Sequence, residues 1–141
     1  MKITKKMLAL AVANYACPEA IRWVEEHAGY TLAELPVQYR RWVACHLSTP
    51  PKVLTALASD AEPYVRRGFA SNLSAPPKVL AALARDDDHY VREAVAHHPS
   101  TPPQALAALA SDAEDTVRWG VAYNPSTPPE VLAALASDGE E

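Results

Sequence analysis

The chain has 141 residues, 49% of them apolar, with 13 Lys/Arg against 17 Asp/Glu and a formal net charge of −4. That is one domain's worth of protein with ample apolar content to bury, and no run approaches the ~20 apolar residues of a membrane span. Residues 1–47 carry six basic against four acidic side chains, residues 48–141 seven against thirteen; so acidic an array is a poor counter-surface for a phosphate backbone, which argues against nucleic acid as partner.

The chain opens on Met1-Lys-Ile-Thr-Lys-Lys and then the apolar run Met7–Ala13. A basic head and a short apolar run fit a minimal signal peptide or a short helix capped by Thr4; the run sits at the lower limit for a signal core, which favours the helix. Cys17 and Cys45 are the two cysteines. They make neither a disulfide scaffold nor a four-ligand metal or iron–sulfur site, so reduced thiols in a cytoplasmic protein are expected, with no cofactor and no metal.

From Ser48 onward a 26-residue unit recurs without insertion. Ser48, Ser74, Ser100 and Ser126 each open Ser-(Thr/Ala)-Pro-Pro-x-(Val/Ala)-Leu-x-Ala-Leu-Ala-x-Asp, and eight of the 13 prolines lie in these Pro-Pro pairs. A fixed period in this range means stacked helical turns, not a globule around one central core. The expected layout is a divergent N-terminal cap and first repeat over 1–47, then three complete repeats and a terminal half-repeat over 48–141, as one structural domain.

Within the unit 100–125, Thr101 is the expected N-cap, Pro102 the first helical residue and Pro103 the next, where missing N–H groups cost nothing. Gln104 and Glu130 stand three after Thr101 and Thr127, the spacing of capping boxes; where Ala75 replaces the threonine, Ser74 is the better cap. The predicted helix runs about ten residues, marginal alone in water. It turns Val53/Leu54/Leu57, Val79/Leu80/Leu83, Ala105/Leu106/Leu109 and Val131/Leu132/Leu135 to one face. A shorter element follows, marked by the pairs Val65/Phe69, Val91/Val95 and Val117/Val121, with Gly68, Ala94 or Gly120 just before the second member. One or two turns fit there, 3₁₀ included. Arg66, Arg92 and Arg118 each follow an aspartate (Asp60, Asp86, Asp112) by six residues, which predicts a structural Asp–Arg ladder across the turn. One period earlier, Glu34, Arg40 and Val43 take the equivalent positions, with Trp42 in the glycine slot. Gly29 is expected to stop the main helix of that first repeat, and Trp23 and Trp42 to fill the core of the cap.

The text Val-Arg-x-x-(Val/Phe)-Ala-x-(Asn/His)-x-Ser-Thr-Pro-Pro-x-x-Leu-x-x-Leu-Ala-x-Asp resembles the leucine-rich repeat variant, a bacterial helical repeat akin to HEAT repeats. His97-His-Pro-Ser-Thr-Pro-Pro-Gln-Ala-Leu-Ala-Ala-Leu-Ala-Ser-Asp112 is a close example, and the resemblance covers residues 38–138. It implies an all-α, right-handed α-solenoid of alternating α- and 3₁₀-like helices. An iron–sulfur centre in this family goes with an N-terminal cysteine cluster; Cys17 stands alone near the start, so that cofactor is not carried over. The opening Ala16-Cys-Pro-Glu-Ala-Ile-Arg-Trp also resembles N-terminal caps of bacterial and phage-borne repeat proteins. The family fixes a shape and leaves activity open.

Positions that differ between repeats are the candidates for recognition. Tyr64, Tyr90 and Thr116 precede the Val-Arg; Arg41, Arg67, Glu93 and Trp119 follow the arginine; Cys45, Ser71, His97 and Tyr123 lie one helical turn on. The candidate partner-binding set is Tyr64, Arg67, Tyr90, Glu93, His97, Trp119 and Tyr123. Trp119 and Tyr123 share a face and read either as interface anchors or as a lid packed on the last helix. Asp86-Asp-Asp-His89 reads as a solvated turn, a metal site having no matching ligand spacing, and His97-His98 as a variable surface pair. No serine or cysteine nucleophile has a base partner and there is no Gly-rich phosphate loop, so no enzyme is expected. The leading expectation is a non-enzymatic module binding another protein. The alternatives are a DNA- or RNA-binding role for Arg40, Arg41, Arg66 and Arg67, and acidic loops that inhibit a nucleic-acid-binding protein. The last helix repeats the internal Val-Leu-Ala-Ala-Leu-Ala text where a capping repeat carries a polar outer face, which predicts a homodimer through residues 126–138.

Overall fold

The computed structural model describes residues 31–46, 49 and 51–137. The expectations placed on residues 1–30, among them the N-terminal helix or signal peptide, Cys17, Trp23 and the Gly29 stop, lie outside the described residues. Among the described residues eight α-helices follow one another: α1 Val37–Cys45, α2 Pro51–Leu57, α3 Pro63–Ala70, α4 Pro77–Leu83, α5 His89–His97, α6 Pro103–Leu109, α7 Asp115–Tyr123 and α8 Pro129–Ser137, with one 3₁₀ turn at Leu32–Glu34. The fold is all-α, and its consecutive helices pack as in a helical-repeat solenoid.

The chain divides into two compact units, Met1–Asn72 and Leu73–Glu141. In the first, α1 lies along α3 and α2 rests against both. Val43, Val53, Leu54, Leu57, Val65 and Phe69 are buried between them. In the second, α5 lies along α7, α4 along α6, and α8 against α7; Leu80, Val91, Val95, Leu106, Leu109, Val117 and Val121 are buried. Each 7-residue Pro-Pro helix is too short to persist alone, so the leucine stripe read from the sequence is stabilised only by the helices it touches.

Two local expectations change. The second helix of each repeat is α, not 3₁₀, and at 8 or 9 residues it is longer than its Pro-Pro partner. It begins two residues before the Val-Arg, at the end of the acidic turn, where Asp88 caps the Val91 N–H at 3.2 Å. The Pro-Pro start is also shifted by one. Pro76 and Pro102 are themselves the N-caps, in extended conformation (φ −67°, ψ 136° and φ −63°, ψ 145°), and the second proline opens the helix. Thr101 therefore lies outside its helix. Its hydroxyl is buried and donates back to the Val95 carbonyl at 2.6 Å, as Thr127 does to Val121 at 2.6 Å and Thr49 to Val43 at 2.5 Å. The capping box expected at Thr101 and Gln104 is absent from α6, because that hydroxyl serves the last turn of the previous helix, on a Val95 carbonyl that also accepts the His98 N–H at 3.1 Å.

His98 is buried, not a surface residue, whereas His97 beside it is exposed. His98 shares a slot with Asn72 and Asn124, and that slot is structural. Asn124 Nδ2 donates to the carbonyls of Ala96 (2.6 Å) and His98 (2.9 Å), and Asn72 Nδ2 to those of Ala44 (2.8 Å) and His46 (3.0 Å). Each asparagine thus ties its helix to the end of the equivalent helix one repeat earlier. The glycine slot allows that approach. A Cβ on Gly120 would sit 2.8 Å from Ala96 Cβ, and one on Gly68 2.9 Å from Cys45 Sγ. Trp42, in the same slot one repeat earlier, is half-buried, with its ring centroid 5.0 Å from that of His46.

Candidate binding face

The arginines sort first, because several face inward. Arg66, Arg92 and Arg118 each donate Nη1 to the backbone carbonyl of the aspartate six residues before, at 2.9, 2.8 and 2.7 Å. They donate again to the next carbonyl, at Ala61, Asp87 and Ala113. The expected ladder exists, but its carboxylate rung goes elsewhere. Arg92 holds the Asp112 carboxylate with Nε and Nη2 at 2.7 and 3.0 Å. Arg40 approaches Asp60 likewise: Nη2 donates at 3.2 Å, while Nε stands 2.8 Å away as an ionic contact without hydrogen-bond alignment. The partner is the aspartate 20 residues on, in the following repeat, and not the one six residues back. Each aspartate also accepts the amide two residues ahead, Glu62 or Glu114, at 3.0 Å, so one carboxylate shapes its own turn and receives the preceding repeat. The Arg92 hydrogen bond, then the Glu114 amide and the surrounding arginine charge, hold the Asp112 carboxyl below its ordinary range; Asp112 raises Arg92 in return.

Of the four arginines in the possible phosphate-binding cluster, Arg40 and Arg66 are therefore directed into the protein. Arg41 lies over the Tyr64 ring, 4.4 Å from its centroid, and Arg67 is half-buried. Cys45 shows surface to solvent while its Sγ occupies the space a Gly68 side chain would need; burial pushes its thiol up, against the opposing pull of Arg41 and Arg67. In the acidic turn, Asp86 accepts the Asp88 N–H at 3.0 Å and Asp88 caps α5. These carboxylates hold the turn.

The second unit carries the more open face. Trp119 and Tyr123 stand one turn apart on α7, 67% and 75% exposed, with ring centroids 6.3 Å apart and planes inclined at 60°. Neither is a lid on α8. The opposite side of α7 supplies Val117 and Val121 to the core with no exposure at all, so the helix puts branched aliphatics inward and aromatics outward. Asp115 begins the same row one turn before Trp119, and is exposed. Its i, i+4 spacing to Trp119 is the one signal of it in the sequence. On α5 the parallel row is His89, Glu93, His97. Its His97 ring lies within 3.3 Å of where a Gly120 Cβ would be, so His97 packs against α7. Tyr90, on the same helix, is exposed with its ring 4.0 Å from that of His89. Tyr64 and Arg67 belong to the first unit, where Arg41 covers the Tyr64 ring. Leu73, exposed at the start of the second unit, was not singled out by its sequence context.

On α8 the apolar stripe is partly uncovered. Leu132 is 39% exposed whereas Leu106, its equivalent one repeat earlier, is fully buried. No described helix is long and apolar enough to cross a membrane.

The leucine rich repeat variant family model matches residues 91–114 and 115–140. No curated protein and no solved structure matches the chain. The matched segments open at Val91 and at Asp115 and take in the helices, the Asp112–Arg92 rung and the buried Asn124 just described, so the likeness to that family lies in residues 91–140.

Proposed function

We propose that the chain is a non-enzymatic helical-repeat module that binds another protein through the α5–α7 face, with Glu93, His97, Trp119 and Tyr123 at its centre and Tyr90 beside it. Tyr64 and Arg67 offer a second, smaller contact area on the first unit. The carrying observation is the pair Trp119 and Tyr123, two large aromatic side chains left in solvent on a helix whose other side is fully buried. Exposed tryptophan and tyrosine are the common anchors of protein interfaces, and a helical-repeat family is a scaffold for such a surface. The nucleic-acid alternative has less support, because Arg40 and Arg66 serve carbonyls and Asp60.

The test is comparative capture from the cells that make the protein. The native chain should retain a partner that the Trp119→Ala/Tyr123→Ala double variant releases. Equal retention by both would contradict the assignment of this face.

A second reading, self-association through α8, rests on the uncovered Leu132. It predicts that sedimentation detects a dimer that Leu132→Glu dissociates; a concentration-independent monomer would end it.

A further inference from the structure

We infer that the α5–α7 face takes a basic partner segment, an arginine or lysine side chain seating on Trp119 and Tyr123 between the carboxylates of Glu93 and Asp115; this deepens the protein-binding reading above and rests on it. The chain itself supplies the precedent. In the first unit Arg41 covers the Tyr64 ring at 4.4 Å from its centroid, so there a cation on one helix is matched to an aromatic face on the next. Two periods on, the position of Arg41 is Glu93 and that of Tyr64 is Thr116. The aromatics stand instead at 119 and 123, further along α7, and an acid, Glu93, takes the place of the base opposite Thr116. The second unit therefore presents aromatic rings and carboxylates where the first presents a ring already matched with a guanidinium.

Charge over the surrounding surface points the same way. Residues 73–137 contain four Lys/Arg against eight Asp/Glu. Two of the four, Arg92 and Arg118, donate inward to Asp86, Asp87, Asp112 and Ala113. A tryptophan face is the best of the aromatic acceptors for a cation, guanidinium is its commonest visitor, and both rings are open to solvent. Carboxylates at the rim add steering that salt weakens.

The probe is an acetylated, amidated peptide of alternating arginine and glycine, with glutamate–glycine and proline–glycine counterparts, titrated at low ionic strength into the ¹⁵N-labelled full chain. The indole N–H signal of Trp119, assigned with Trp119→Phe, is the readout. The arginine peptide should shift it saturably. Glu93→Gln combined with Asp115→Asn should weaken the affinity about fivefold or more while leaving both rings in place, Trp119→Ala should weaken it comparably, and added salt should weaken it further. An unmoved Trp119 signal, an equal response to the glutamate or proline peptide, or unchanged affinity in the charge-neutral variant would overturn the inference. If a partner is still captured through Trp119 and Tyr123 while the arginine peptide fails, the binding face stands and only its preference for a cation falls; if capture fails too, both fall.

Discussion

Arg92 reaches over the turn that follows it to Asp112, gripping that carboxylate with two nitrogens at 2.7 and 3.0 Å while its remaining nitrogen holds the carbonyls of Asp86 and Asp87. One side chain thus clamps the turn before it and the turn of the following repeat. Both partners are largely withdrawn from solvent, at 18% and 9% side-chain exposure, so the geometry is fixed by packing and not merely by charge attraction.

Removing one side of that pair leaves the other without its counter-charge. Asp112→Ala should lower unfolding free energy by about 2 kcal/mol, between the cost of an exposed pair and that of a fully buried one. Arg92→Ala should cost at least as much, since the carbonyl bonds go as well. Urea unfolding followed by circular dichroism measures both, and the double variant should cost less than their sum.

The depressed Asp112 carboxyl makes stability depend on pH. The folded state binds fewer protons than the unfolded state in this range, so unfolding free energy rises with pH. The contribution is complete above the ordinary aspartate value of about 3.9 and is lost as pH falls through the lower folded value. Acid titration of stability should therefore steepen below about pH 4, and Asp112→Asn should flatten that part of the curve.

Close helix approach gives a test of packing. At Gly120 an added methyl meets Ala96 Cβ at 2.8 Å, an atom fixed to the facing helix; at Gly68 the closest atom, at 2.9 Å, is Cys45 Sγ, which can rotate. Gly120→Ala should destabilise by about 1–3 kcal/mol by overpacking, even after the gain of up to about 1 kcal/mol in helix propensity. Gly68→Ala should cost less. Equal thermal shifts for the two would show that the α5–α7 contact is looser than described.

Asn124 binds two carbonyls of the preceding repeat and accepts the Ser126 N–H at 2.9 Å. Asn124→Ala should cost about 1–3 kcal/mol, since it leaves the buried Ala96 carbonyl unpaired, while the His98 carbonyl keeps the Thr101 N–H at 3.0 Å. Hydrogen exchange should show the loss concentrated at the end of α5 and the start of α8.

The elements legible in the sequence were those set by local spacing. The period, the leucine stripe, the valine pairs and the glycine slot all reappear where the text places them. What escaped was polar pairing at a distance. The Asp–Arg spacing of six is real and is used, yet through the aspartate's backbone carbonyl; the carboxylate belongs to the arginine 20 residues earlier, a partner that only the stacking of repeats brings near. Thr101 misled for a related reason: a threonine before a proline pair looks like a cap, but the first proline takes that role through its own extended backbone. His98 looked variable because it replaces asparagine, although burial makes its slot structural. Variation and spacing mark Trp119 and Tyr123 in the sequence, and both side chains are exposed, while Asp115 is masked there by its acidic turn.

The central claim is that the aromatic pair on α7 stands outside the forces that hold the stack together. Equilibrium unfolding of the Trp119→Ala/Tyr123→Ala variant measures this directly. The exposed placement predicts a stability within about 0.5 kcal/mol of the native chain. A loss of about 3–5 kcal/mol, the cost of deleting a buried aromatic side chain, would contradict it.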